Sequence, residues 1–154
     1  MTREAVIVST ARTPIGKAYR GAFNDTDAPT LGGHVIAAAV QRAGVDPNEI
    51  DDVVIGCAMQ QGSSGYNIGR TAGVAAGLQS SVSGMSIDRQ CASGMMAIAT
   101  AAKQVIVDGM PIVVGGGLES ISLVQNEHRN AYRAQDPNVL KNASDAYISM
   151  LETA

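Results

Sequence analysis

Short apolar runs alternate along this chain with longer stretches in which apolar residues recur at helical spacing. The first run, residues 5–9 (AVIVS), is rich in β-branched side chains and is typical of a strand buried on both faces. Three further runs predict strands at residues 53–58, 84–88 and 111–114. Because strands and helices alternate, the pattern favours an α/β fold with a parallel sheet, right-handed crossovers and helices on both faces.

Three stretches between these runs predict helices. The first covers residues 30–43, up to a glycine, and the second covers residues 68–76 with Asn67 as its N-cap. The third follows Cys91, and residues 92–102 contain no charged side chain. A helix that is apolar all round is normally buried, so this third helix is predicted to begin deep in the protein.

Cys91 lies at the junction between the third predicted strand and the third predicted helix. Unpaired backbone N–H groups and the positive end of the helix dipole stabilise a thiolate over a thiol at such a position. The same N–H groups can hydrogen-bond an oxyanion formed when a carbonyl is attacked. Cys91 is therefore either a nucleophile or a buried structural cysteine, since free cysteine is among the most buried residue types.

The chain after Glu119 is polar, which predicts an excursion outside the core. A last predicted helix begins at Ser144, and the chain reaches Ala154 without a stop signal. We therefore expect the polypeptide to continue beyond Ala154.

Composition narrows the class of protein. The 154 residues are 45% hydrophobic, 16% charged and 3% aromatic, which predicts an ordinary domain with a core of small aliphatic side chains. A net charge of −3 without a basic run makes nucleic acid an unexpected partner. No apolar run is long enough for a signal peptide or a membrane span, so we expect a cytoplasmic protein that makes no membrane contact.

The remaining reactive side chains are isolated in the sequence. Cys57 falls within the second predicted strand, where a small thiol fills space, and His34 and His128 stand alone. The spacing of Cys57 and Cys91 suggests neither a zinc site nor a disulfide framework. No metal is therefore expected.

A local positive cluster follows the first predicted strand and consists of Arg12, Lys17 and Arg20. It indicates either an anion contact, such as one to a phosphorylated substrate, or a solvated loop. Neither G-x-G-x-x-G after a strand nor G-x-x-x-x-G-K-[ST] occurs, so the sequence lacks the fingerprint of a nucleotide cradle.

Four segments together resemble one family, the thiolases, which are acetyl-CoA C-acyltransferases and C-acetyltransferases. The segments are ARTPIGK, GRTAGVAAGL, DRQCASGMMAIATAAKQVIVDG and VVGGGLESIS. The resemblance runs from about Val6 to the C-terminus, and the stretch around Cys91 is its most specific part.

The resemblance implies a fold of two similar βαβαβαββ halves with a loop domain inserted in the first. Residues 1–118 would form an incomplete first half with four of its five strands, in a mixed, mostly parallel sheet. Residues 119–154 would begin the inserted loop domain. A buried helix would carry the nucleophilic cysteine at its N-terminus.

The resemblance also implies a chemistry. Cys91 would be the catalytic nucleophile that carries an acyl group between two coenzyme A thioesters, in thiolysis of 3-oxoacyl-CoA or in condensation of two acetyl-CoA. No cofactor other than these thioester substrates is implied. The activating histidine and the second cysteine of the family would lie beyond Ala154, so we expect residues 1–154 alone to be inactive. The DRQCASG wording resembles the degradative, β-oxidation branch.

Two other classes of protein are compatible with the sequence, and the resemblance also implies a homo-oligomer. The chain could belong to a related condensing enzyme of the ketoacyl-synthase type, or to a noncatalytic protein that binds acyl-CoA. Thiolases associate as homodimers or homotetramers, and Ser83 to Asp88 is the candidate interface strand. The same residues could instead form an ordinary sheet edge.

Overall fold

The computed structural model describes residues 3–154, which form a small parallel sheet with helices on both faces. The sheet contains Asp52–Gly56 (β1), Ser83–Ile87 (β2) and Val113–Gly117 (β3) in the order β2-β1-β3. Every pairing in it is parallel, and Asp52 is aligned with both Ser83 and Val113. The α/β fold expected from the sequence is confirmed.

Within residues 3–154, six α-helices accompany the sheet. The long ones are Ala28–Ala43 (α1), Ile68–Ala75 (α2) and Ser93–Lys103 (α3), and α3 continues as a π-helical segment, Gln104–Asp108. The short ones are Ile121–Val124 (α4), Pro137–Asn142 (α5) and Met150–Thr153 (α6), and single 3-10 turns occur at Pro47–Glu49 and Gly62–Ser64. None of the helices within residues 3–154 is sufficiently long and apolar to traverse a membrane.

The two faces of β1 divide the core. Val53 and Ile55 face a cluster that includes residues of α1 and α2, such as Ile36 and Ile68. Val54 faces the opposite side, where it packs with Ala97 and Ala101 of α3 together with other apolar side chains. Since successive strand side chains point to opposite faces, this single buried strand holds both helical layers.

Helix ends follow local chemistry. The Asn67 side chain accepts a hydrogen bond from Arg70 N at 3.2 Å, which confirms it as the N-cap of α2. Gly44 ends α1 in the left-handed conformation, at φ 67°. The sequence suggests Thr30 as the N-cap of this helix, but Asp27 occupies that position, three residues earlier, and Pro29 fits the first turn.

Residues 5–9 correct one prediction, because they belong to no strand in the structure. Val6, Ile7 and Val8 are largely exposed. They line one side of a cavity of about 910 Å³ whose other walls come from α1, α3 and β3. A β-branched run predicts extended backbone, but a strand also requires a hydrogen-bonding partner, and β3 meets only β1. The described sheet therefore has three strands, not four.

The last strand also differs from its predicted position. It was expected at residues 111–114 with glycines after it, whereas β3 includes Gly115, Gly116 and Gly117. A Cβ on Gly115 would lie 3.0 Å from Ala101 Cβ and 3.1 Å from Ile98 Cα. Gly115 is a strand residue whose missing side chain lets α3 pack closely on β3 at this point.

Helix α3 is not buried all round, which corrects a second prediction. Its Ser93, Ala97 and Ala101 face the sheet and are buried, whereas Met95 is 78% exposed and Ile98 is also exposed. The helix contacts the sheet on one side, and among residues 3–154 no element packs over its other side. Helix α3 therefore has more apolar side chains than residues 3–154 bury.

The later part of the stretch after Glu119 lies outside the core, as predicted, whereas Ser120 and Val124 at its start are buried. Every residue from 127 to 154 is exposed. The helix predicted to begin at Ser144 begins instead at Met150, because Ser149 and Glu152 form reciprocal capping hydrogen bonds. The assignment of residues 119–154 to a separate loop domain stays a prediction.

The contact between α3 and β1 gives a stability test. A Cβ on Gly56 would collide with the carbonyl group of Ser93, whereas a Cβ on Gly116 would make an ordinary contact 3.7 Å from Ile55 Cδ1. We expect Gly56→Ala to lower the free energy of unfolding by about 1–3 kcal/mol, the usual cost of overpacking. The matched variant Gly116→Ala should be near neutral in the same denaturant titration, and equal losses would contradict this packing.

Candidate functional site at the carboxyl edge of the sheet

The carboxyl ends of the three strands meet at one edge of the sheet. The hydrogen-bond ladder extends past them, from Cys57 N to Ile87 O at 2.9 Å and from Leu118 N to Gly56 O at 3.1 Å. The loops that follow the strands therefore begin side by side. In α/β proteins this edge is where ligands bind.

Cys91 lies on the connection from β2 to α3, as predicted. The strand ends at Ile87 and the helix begins at Ser93, so five residues form a tight turn. Cys91 is exposed, which corrects the expectation that it is buried. The reason is the open side of α3, where Cys91, Ala92 and Met95 all face solvent.

Local hydrogen bonds shape this turn. Asp88 Oδ1 accepts from Gln90 N at 2.7 Å, and Ala92 N donates to Arg89 O at 3.0 Å. Gln90 has a φ of 48°, in the left-handed region that residues other than glycine rarely adopt. The residue before Cys91 is thus held in an unusual conformation that reverses the chain between strand and helix.

The first turn of α3 lies directly against two strand ends. A Cβ on Gly117 would be 2.9 Å from Gly94 Cα, and a Cβ on Gly56 would be 2.5 Å from Gly94 N. Only glycine at these positions lets the helix start so close to the sheet. This contact fixes where the N-terminal end of α3, with its unpaired N–H groups, is located.

Glu119 connects the third strand to the loop after the first. Its carboxylate accepts hydrogen bonds from Ala58 N at 3.0 Å and from Met59 N at 3.3 Å. The Cys57 thiol also donates to Glu119 Oε1, with Sγ and Oε1 3.5 Å apart. Glu119 was not among the predicted site residues, although its position shortly after a predicted parallel strand is a usable signal.

The environment of Cys57 keeps its thiol protonated and therefore unreactive as a nucleophile. It is 1% exposed, and burial, followed by the adjacent Glu119 charge, raises the pKa of its thiol to about 12. The thiol is therefore neutral at physiological pH and acts as a hydrogen-bond donor. The two cysteines of the chain differ sharply, one buried and protonated, the other exposed at a helix end.

The other predicted candidates lie away from this edge or in solvent. His34 is exposed on α1, and His128 is exposed in the C-terminal stretch beside Glu127. Arg12, Lys17 and Arg20 are exposed on the loop before α1, as expected of a solvated loop. Among residues 3–154, no three His, Cys, Asp or Glu side chains lie close enough together to hold a metal ion.

Residues 5–153 match the family model of the thiolase N-terminal domain. The chain belongs to the thiolase family. Its strand-turn-helix element with Cys91, the glycines beneath it and Glu119 all fall within the matched region.

Individual thiolases show the same relationship. A 3-ketoacyl-CoA thiolase of Bacillus subtilis is 36% identical over 154 residues, 99% of this chain and 38% of that protein. One of Acinetobacter baumannii is 38% identical over 126 residues, 82% of this chain and 32% of that protein. The crystal structure of the Bacillus anthracis acetyl-CoA acetyltransferase superimposes with a TM-score of 0.75 at 38% identity, covering 88% of this chain and 34% of that one. The chain thus spans well under half the length of these thiolases.

The raised pKa of Cys57 predicts a pH dependence of stability. An unfolded cysteine ionises near its ordinary pKa of 9.0, whereas native Cys57 keeps its proton to about 12, so the unfolded state is favoured as pH rises through 9. Between about pH 8 and pH 10, the wild-type chain should lose about 1 kcal/mol more unfolding free energy than Cys57→Ala.

Denaturant titrations across this pH range measure the effect. Cys91→Ala serves as the control, because it removes an exposed thiol and leaves Cys57 in place. It should lose at least as much unfolding free energy as the wild-type chain over this pH range. If unfolding free energy falls equally with pH in the wild-type chain and in Cys57→Ala, native Cys57 does not keep its proton to about pH 12.

Proposed function

We propose that this chain supplies the nucleophile of a thiolase-family acyltransferase that moves acyl groups between coenzyme A thioesters, and that the nucleophile is Cys91. The supporting observation is its placement: an exposed thiol on the turn between a parallel strand and the start of an 11-residue helix. This turn lies at the edge of the sheet where α/β proteins bind ligands. The related proteins are a 3-ketoacyl-CoA thiolase and an acetyl-CoA acetyltransferase, which agrees with this chemistry.

The proposed degradative reaction has two steps. The Cys91 thiolate attacks the 3-keto carbonyl carbon of a 3-oxoacyl-CoA, and the C2–C3 bond breaks with its electron pair going to C2. Protonation of the resulting enolate releases acetyl-CoA and leaves the shortened acyl group as a thioester on Cys91. Coenzyme A thiol then attacks this thioester, takes the acyl group and returns the Cys91 sulfur.

The start of α3 suits both steps. Negative charge resides first on sulfur and then on a carbonyl oxygen, and both positions lie near the positive end of a helix dipole. The exposure of Cys91 leaves room for a substrate to approach, whereas Cys57 is closed off and protonated. Cys91 is therefore the cysteine to which we assign catalysis.

The base that activates Cys91 is proposed to lie outside these 154 residues. Within residues 3–154, no hydrogen bond joins the Cys91 thiol to a histidine, and both His34 and His128 are exposed elsewhere. The family's activating histidine and its second cysteine would come from the part of the longer thiolases that this chain does not span. We propose that the isolated 154-residue chain is inactive.

The proposed assembly is a homodimer or homotetramer that uses the second strand. β2 pairs with β1 alone, so it is one edge of the described sheet. Ser83 to Asp88 would meet the same residues of a second copy there. A β-oxidation role and a cytoplasmic location stay predictions of the sequence analysis.

Trapping the acyl-enzyme tests the catalytic assignment. The full-length polypeptide that contains this chain, incubated with acetyl-CoA, should gain one acetyl group on Cys91, seen by peptide mass spectrometry. Cys91→Ala should abolish both the adduct and turnover of acetoacetyl-CoA with coenzyme A. The control Cys57→Ala should keep the adduct.

Two results would count against the assignment. Turnover that persists in Cys91→Ala would show that another group carries the acyl chain. Binding of acyl-CoA without any adduct or turnover would indicate a noncatalytic acyl-CoA-binding protein.

A further inference from the structure

A buried hydroxyl lies directly behind the Cys91 turn. Ser93 is 4% exposed, although it is only two residues from the exposed cysteine. Its Oγ accepts a hydrogen bond from Arg89 N at 2.8 Å and donates one to Gln90 O at 2.6 Å. The hydroxyl therefore joins the Asp88–Arg89 peptide group to the Gln90–Cys91 peptide group.

The direction of these bonds is unusual for a serine at the start of a helix. A capping serine normally stands one position before the helix and accepts from an N–H of its first turn. Here Ala92 occupies the N-cap position without a side-chain cap, and Ser93 is the first helical residue. Its hydroxyl reaches backward into the turn, so it stabilises the turn and not the helix.

The carbonyl that Ser93 holds belongs to the peptide bond between Gln90 and Cys91. A peptide group is planar, so fixing this oxygen also fixes the orientation of the Cys91 N–H and of its Cα. Ser93 N adds a second hydrogen bond to the same oxygen, at 3.0 Å. The plane that carries the cysteine is thus attached to the helix at two points.

The turn needs this support because Gln90 is in the left-handed region, at φ 48°. Asp88 holds the amide of Gln90 and Ser93 holds its carbonyl. Ser93 itself cannot shift, because its backbone lies against Gly56 too closely for even a Cβ to fit between them. The packing of Ser93 against β1 therefore fixes Ser93, and the hydrogen bond from Ser93 to Gln90 fixes the peptide that carries Cys91.

We propose that Ser93 is a positioning residue that sets the orientation of the Cys91 thiol relative to the start of α3. The proposal rests on the proposed function for its relevance to acyl transfer. Its physical content is separate: without the hydroxyl, the Gln90–Cys91 peptide rotates more freely and the thiol spends less time at the helix end.

Alkylation of Cys91 by iodoacetamide tests this without requiring acyl transfer. In the folded 154-residue chain at about pH 7.5, Ser93→Ala should slow alkylation of Cys91 by about two- to fivefold, the size of one lost helix-end interaction. Ser93→Thr keeps the hydroxyl and should restore the rate. Ser120→Ala removes a similarly buried hydroxyl near the end of β3 and should leave the rate unchanged.

Two further readouts separate positioning from loss of structure. Cys57 should remain unlabelled in every variant that folds, and all variants should label Cys91 equally fast in denaturant. If Ser93→Ala does not fold, Asp88→Ala releases the amide of Gln90 from an exposed position and should slow labelling of Cys91 relative to Asp88→Asn, which removes the same charge but can still accept the hydrogen bond.

Equal Cys91 labelling in folded wild-type and Ser93→Ala chains would overturn the proposal, as would a Ser93→Thr variant that behaves like alanine. Where Ser93→Ala does not fold, equal Cys91 labelling rates in Asp88→Ala and Asp88→Asn would overturn the proposal. Failure to find an acetyl group on Cys91 would instead count against the proposed function and leave these rates as they are.

Discussion

The close contact between the first turn of α3 and the backbone of two strands is the constraint on which the site depends. Gly56 ends β1 and Gly117 ends β3, and each lies against Ser93 or Gly94 with no space for a side chain. This contact places the N-terminal end of a helix at the edge where the strands finish. Packing alone thus places the partial positive charge of a helix N-terminus at this edge.

Around that contact, the two cysteines of the chain lie in opposite environments. Cys57 follows β1 into the protein, where burial and Glu119 keep its thiol protonated. Cys91 follows β2 outward onto the open side of α3. Glu119 meanwhile holds the loop after β1 to the end of β3. One sheet edge therefore carries a buried, protonated thiol, a carboxylate that holds a loop, and an accessible thiol.

Local rules predicted much of this fold. The alternating pattern gave the strands around Val54 and Met85, and Asn67 was correctly predicted as an N-cap. Properties set by other parts of the chain were missed. Residues 5–9 have the composition of a strand but lack a partner, and the glycines of β3 predict a loop until α3 is placed against them.

The candidate site shows the same division. The position of Cys91 between strand and helix followed from the sequence, because both flanking patterns are local. Its exposure did not, since it depends on what covers α3. Ser93 and Glu119 were not found either, because their roles consist of hydrogen bonds to backbone groups that only the folded turn and loop bring near them.

Initial-rate kinetics of the full-length polypeptide test the central claim, that Cys91 carries the acyl group covalently between two thioesters. A 3-oxoacyl-CoA and coenzyme A would be varied against each other, and the first product would leave before the second substrate reacts. Covalent transfer through Cys91 predicts parallel lines in double-reciprocal plots. Intersecting lines, with a rate unaffected by replacement of Cys91, would contradict it.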